Sequence, residues 1–255
     1  MQGLNTPLRA RYPIMSNHLS HLGLLKVSGN DAKKLLQGQL TCNLDEVTPT
    51  NSLLGAHCNP QGRILSLFRI IMRNDSYYLE MPAETLSVAL AALKKYAMFF
   101  KVELTDASAE LADISDAASL SFNAWKAGNI EAGIPAIYAN TSGKLLPHEI
   151  NLPLINAVSF TKGCYTGQEI IARMQYRGQL KKRMYRARVT TQTLSVPGTD
   201  IYNDAGPCGI IVDSCQEADT SFQLLVVANQ ADRENQQLFL DPDKIEQLEF
   251  VSLPY

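Results

Sequence analysis

Lys162-Gly163-Cys164-Tyr165-Thr166-Gly167-Gln168-Glu169, followed by IIARMQYRGQLKKR over 170–183, is the stretch on which the reading of this chain turns. Two glycines flank a cysteine just ahead of Gln168–Met174, a segment whose pattern predicts a helix. Glycine allows tight turns and close backbone approaches that other residues resist. A cysteine so placed sits near the positive end of a helix dipole, with Lys162 two residues away. Both features favour thiolate, the reactive and metal-binding form, over thiol. The plainer reading is a small buried residue at a turn, because free cysteine packs as a small hydrophobe. Cys164 is thus a candidate reactive thiol and Lys162 its activating neighbour. Tyr165, Gln168 and Glu169 would build its setting, and Arg173 is spaced to pair with Glu169 at i+4.

The same stretch opens a concentration of positive charge: Arg173, Arg177, Lys181, Lys182, Arg183, Arg186 and Arg188. Taking those seven from the 23 basic residues leaves 16 to face 25 acidic ones, so a net charge of −2 hides an acidic body with one basic segment. Such a segment can meet a phosphate, a polyglutamate tail or RNA, or can be a solvated strand and turn.

Upstream, strands and helices alternate with short turns. Leu22–Val27 reads as a strand, and Ser28-Gly29-Asn30-Asp31 supplies a turn and a helix cap. Ala32, Leu35, Leu36 and Gln39 follow at helical spacing. Leu53–Cys58 and Arg63–Met72 predict two strands joined by Asn59-Pro60-Gln61-Gly62, which suits a type I turn. Tyr77–Met81 continues the sheet, and Pro82 is expected to open a helix with Leu86, Leu90, Leu93, Ala97 and Phe100 on its core face. Residues 105–120 read as a loop or a worn helix, Trp125–Pro135 begins a second unit, and 141–157 is loop-like. Downstream, Met184–Val189, Gly209–Val212 and Gln223–Val227 predict strands of a small antiparallel barrel or sandwich.

Five cysteines without a CxxC pair fit a reducing compartment rather than a disulfide framework. Four histidines show no HxH or HxxxH spacing, so no metal site is expected from this chain alone. No apolar run reaches membrane-spanning length. The opening MQGLNTPLRARYPIMSN lacks the apolar core of a secretory signal. A cytoplasmic, membrane-free protein is expected.

The string KGCYTGQE resembles the signature of the YgfZ family, and the likeness extends along nearly the whole chain. It includes LLQGQLT (35–41), LLGAHCNPQGR (53–63), LKKYAMFFKV (93–102), NIEAGIP (129–135) and the closing LPY. The resemblance implies an α+β fold like that of the T-protein, the tetrahydrofolate-dependent aminomethyltransferase, ending in an antiparallel β-barrel. It implies three parts, 1–104, 105–180 and 181–255, and a pocket for tetrahydrofolate or a derivative. The associated function is maintenance of iron–sulfur enzymes, including tRNA-modifying ones, with those enzymes or their assembly factors as partners. Glu131 matches a T-protein position that resembles a pterin ligand, a task that a carboxylate suits by accepting two N–H bonds. Trp125 matches a family tryptophan associated with folate, where an indole face can stack on a flat ring. Tyr165, Gln168 and Arg173 join them as candidate cofactor-binding residues.

Two departures bear on that pocket. Leu22 stands where family members carry a second tryptophan, and the stretch from Asp113 to Trp125 is shorter than in longer members. An aminomethyltransferase is the enzymatic alternative, although no carboxylate for the folate amine is identifiable. An RNA-binding module on 173–188 is the other, with Tyr176 and Tyr185 its only aromatics.

Overall fold

A computed structural model of the protein describes residues 21–192, 196–235 and 237–255. The opening segment read above, residues 1–17, lies outside the described residues.

The first half builds an antiparallel sheet from β1 (Leu22–Ser28), β2 (Leu53–Cys58), β3 (Ile64–Arg73), β4 (Ser76–Pro82) and β5 (Glu103–Asp106), ordered β2-β3-β4-β1-β5. Successive strand residues point to opposite faces, and this alternation divides β3. Phe68 and Ile70 join α1 (Ala32–Gln39) and α2 (Leu86–Ala97) in an apolar cluster with Leu35, Leu36 and Leu93. Ile71 joins a separate cluster containing Trp125, Leu22 and Tyr138. Pro82 does not open the helix as expected. It pairs with Leu22 at the end of β4, where a missing N–H is tolerated, and a 3₁₀ turn over Ala83–Thr85 leads into α2.

Residues 105–120 are neither plain loop nor one helix. They form the end of β5, α3 (Leu111–Ile114) and short 3₁₀ turns, anchored by fully buried Leu111. The next helix, α4 (Phe122–Glu131), starts at Ser121, whose hydroxyl accepts from the Ala124 N–H at 3.2 Å. α5 (Gln168–Arg177) runs past the expected Met174 and stops at Gly178.

The last third is an antiparallel sheet of β6 (Lys182–Thr190), β7 (Asp200–Asn203), β8 (Gly206–Ala218), β9 (Ser221–Asn229) and β10 (Glu249–Val251), ordered β10-β6-β9-β8-β7. α6 (Gln230–Asn235) follows β9. The edges meet through isolated bridges, Tyr202 to Phe239 and Phe239 to Gln247, and Gln247 leads directly into β10. That closure makes the sheet a barrel, and register shifts in β8 after Ile211 and Gln216 supply the bending. Gly209 is obligatory here, because a Cβ would lie 2.0 Å from the Val227 carbonyl oxygen.

One core cluster draws on all parts of the chain: Ala56 and Leu67 of the first sheet, Ile130 and Ile171 of the helices, and Val212 and Leu225 of the barrel. A polar clasp reinforces the α4–barrel contact. The Lys126 ammonium lies 2.9 Å from the Asp213 carboxylate, which also accepts from the Tyr138 hydroxyl at 3.0 Å and the Ser214 N–H at 2.8 Å. Burial drives the Asp213 pKa up against the pull of Lys126.

Candidate functional site

The KGCYTGQE loop is held from two sides. The Thr166 N–H reaches the Gly38 carbonyl at 3.3 Å, and its hydroxyl bonds to Gln39 Oε1 at 3.1 Å, fastening the loop to the end of α1. Gly167 adopts φ +86°, and a Cβ there would lie 2.7 Å from the Asn59 carbonyl oxygen and 3.1 Å from Gly62 Cα. Gly62 in turn donates its N–H to Asn59, closing the 59–62 turn at 2.9 Å. Three motifs separated in sequence thus meet: 35–41, 53–63 and 162–169. Gly163 has open space around it and needs no such freedom.

Among five cysteines, Cys164 is exposed and the others are buried. Burial pushes the Cys42 and Cys58 thiols up to about 12, which keeps both inert. Lys162 does not face Cys164. Its ammonium turns inward and donates to the Leu40 and Cys42 carbonyls, both at 2.8 Å, and lies 5.1 Å from the centre of the Tyr165 ring. Burial lowers its pKa to about 8. Tyr165 is 7% exposed, and its hydroxyl is buried without a hydrogen-bond partner among the described residues. Gln168 begins α5, half-buried; Glu169 and Arg173 are exposed on that helix and form no ion pair with each other among the described residues.

Trp125 belongs to a different place. It walls a cavity of about 480 Å³ between α4 and the face of the first sheet opposite α1 and α2, with Arg69, Arg73, Asn51, Ser115 and Asn129. Phe122 stacks beside Trp125 at 6.1 Å between ring centres, and Leu22 packs in the same apolar cluster. A pinched space of about 30 Å³ continues past Trp125 to Glu80. Glu80 lies directly across the strand pair from Arg69, 3.7 Å from its Nε, and accepts from the Ser115 hydroxyl. Burial raises the Glu80 pKa, and Ser115 and Arg69 oppose that rise. Glu131 ends α4, exposed, and lines neither space. No residue of 162–169 lines them either.

The sequence reading missed Glu80 and Arg69. Their signal was a charge inside an apolar strand, the glutamate of Ser76–Pro82 and the arginine of Ile64–Arg73. Their pairing depends on strand register. Among the described residues no three His, Cys, Asp or Glu side chains cluster to hold a metal ion.

No family model matches the chain. A solved structure of the glycine cleavage system aminomethyltransferase T from Bartonella henselae aligns with a TM-score of 0.70 over 92% of this chain and 84% of its own, at 15% identity. That likeness establishes the T-protein-like α+β fold. A protein of Haemophilus influenzae named as uncharacterized is 30% identical, with 93% of this chain and 96% of that one covered. The tRNA-modifying protein YgfZ of Klebsiella pneumoniae is 29% identical over 96% of this chain and 94% of its own. The tRNA-modifying protein YgfZ of Colwellia psychrerythraea is 31% identical, over 66% of this chain and 69% of its own length. With these likenesses spread along the sequence and the T-protein-like fold beneath them, the chain belongs to the YgfZ family.

Proposed function

We propose that the chain is a tetrahydrofolate-binding accessory protein of the cytoplasm that supports iron–sulfur enzymes, those of tRNA modification among them. The observation that carries this reading is the 480 Å³ cavity beside Trp125. Its size falls within the usual range for small-molecule sites. A folate offers a flat ring with N–H donors at one end and carboxylates at the other, and the wall residues fit both. Trp125 supplies a face for the ring; Glu80, in the adjoining recess and held beside Arg69, is an acceptor for its N–H edge; Arg73, four residues farther along β3, is the charge-assisted donor for the anionic tail. Glu80 takes the role that the resemblance gives to Glu131, because Glu80 adjoins Trp125 and Glu131 does not.

Cys164 stands apart from that cavity, exposed on a braced loop, and in this reading it meets the client enzyme. A single thiol supplies one ligand of the four that a cluster takes, so any cluster contact is shared with the partner. The relatives' naming as tRNA-modifying proteins supports a client of that kind.

Calorimetric titration with tetrahydrofolate tests the reading. Saturable binding by the native protein is expected, weakened about tenfold or more in Glu80→Gln through loss of a charge-assisted acceptor. Loss in Glu131→Ala with Glu80→Gln unaffected would move the ring's polar edge to the end of α4. Absence of binding by the native protein would refute the folate reading.

A further inference from the structure

A second cavity, about 900 Å³, opens between the C-terminal half of α5 and the barrel, and the folate reading makes no use of it. Its wall presents the amides of Gln175, Gln179, Asn229 and Gln230 beside the cations Lys181 and Arg183. Gln175 Oε1 bonds to His148 Nε2 at 3.2 Å, the Gln230 amide sits between the Leu180 carbonyl and Arg183 Nε, and Gln179 has no bond among the described residues. Met174 and Leu180 add apolar surface. The one carboxylate in the wall, Asp232, already accepts from Asn229 Nδ2 at 2.9 Å.

The seven basic residues of 173–188 divide into two sets. Arg186 is buried and bonds to Gln223, and Arg188 pairs with Glu217, so both belong to the barrel. Arg173, Arg177, Lys181 and Lys182 are exposed and Arg183 is half-buried, and none of these five joins an ion pair among the described residues. From the cavity wall a row of rings leads outward. The His148 ring centre is 6.1 Å from that of Phe160, and the Phe160 ring centre is 6.1 Å from that of Tyr176, a residue 71% exposed. Phe160 is the aromatic that the sequence could not add to Tyr176, because the two come together only in the fold.

We propose that this cleft binds single-stranded RNA, taking an unpaired base into the cavity while backbone phosphates follow the five cations. Side-chain amides are the groups that read base edges in pairs of hydrogen bonds. An exposed ring gives the next base a stacking surface, and cations neutralise phosphates in a sequence-independent way. The recess excludes a duplex, whose bases are paired and stacked and whose major groove is too deep and narrow for side chains to read. An acidic remainder of the molecule steers an anionic strand to this edge. The proposal is independent of the folate reading.

The test is anisotropy of a fluorescein-labelled 12-nucleotide single-stranded RNA of mixed sequence, titrated with the full-length protein. Saturable binding is expected. It should weaken roughly 20- to 100-fold between 50 and 200 mM salt, for about three to five phosphates neutralised. Joint Lys181→Glu and Arg183→Glu substitution should weaken it at least about tenfold, and Tyr176→Ala about tenfold through lost stacking. Lys94→Glu with Lys95→Glu, on α2, should leave it unchanged. Unaltered melting temperatures confirm that these surface variants fold. No saturable binding at 50 mM salt, or binding indifferent to both cleft variants, would overturn the proposal. Adenosine monophosphate bound as tightly as the 12-mer would replace it with a free-nucleotide site, and equal affinity for duplex RNA would also overturn it.

Discussion

Gly167 and Gly163 look alike on either side of Cys164, yet only one is required. At φ +86° and 2.7 Å from a backbone oxygen, a Cβ on Gly167 meets both a disfavoured conformation and a clash. Gly167→Ala should cost about 2–4 kcal/mol in urea unfolding, and Gly163→Ala under about 1 kcal/mol. Lys162 carries a second lesson at this scale. Its neighbour in sequence is Cys164, but its ammonium is engaged by two carbonyls on the far side of the loop. Lys162→Met should lower stability by about 1.5–3 kcal/mol, the worth of charged hydrogen bonds. It should change the rate of Cys164 alkylation by iodoacetamide less than about twofold. An alkylation rate that collapses with Lys162→Met would restore the activating role. Spacing alone singled out the cysteine as a candidate. It did not reveal which way the lysine points, because χ angles answer to packing rather than to sequence separation.

Strands and helices were legible where alternation or helical spacing was clean. β2 begins and ends as read, and β3 differs by single residues at each end. What sequence did not show is which residues face each other across elements. Arg69 opposite Glu80 depends on the β3–β4 register, and Lys126 against Asp213 joins a helix to a strand far along the chain. Asp213→Ala leaves the Lys126 ammonium buried without its carboxylate, and thermal unfolding should show a loss of about 3–5 kcal/mol. β2 also carries His57, 1% exposed, with both ring nitrogens unpartnered among the described residues and its ring edge-on to Tyr96 of α2. Burial lowers its pKa from 6.5 to about 4. The unfolded chain therefore takes up this proton near pH 6.5 and the folded chain only near pH 4. Stability is full above pH 6.5 and falls as pH drops from 6.5 to 4, by up to about 3 kcal/mol. His57→Leu should flatten most of that acid limb in unfolding curves, and an unchanged limb would remove His57 as its source.

At the scale of the molecule, a core shared by both sheets and the intervening helices fixes three surfaces relative to one another: the Cys164 loop, the Trp125 cavity and the α5–barrel cleft. Motif resemblance made the architecture legible, since KGCYTGQE and its companions identify a fold that aligns with the aminomethyltransferase at only 15% identity. Periodicity alone reached a sheet with helices and a β-rich end. It left barrel and sandwich both open, and the closure that decides between them rests on isolated bridges at Phe239. The candidate site was legible in part, through Trp125 and Cys164. The chain distributes these to separate walls, and the sequence had suggested one site. Trp125 is the protein's single tryptophan, so its emission reports on the surroundings of this one side chain, the cavity wall among them. Titrating the native protein with tetrahydrofolate while following that emission is the most direct measurement. Saturable quenching, weakened in Glu80→Gln, is the expected result. Emission that stays flat through concentrations at which calorimetry detects binding would put the folate elsewhere and contradict the assignment of this cavity.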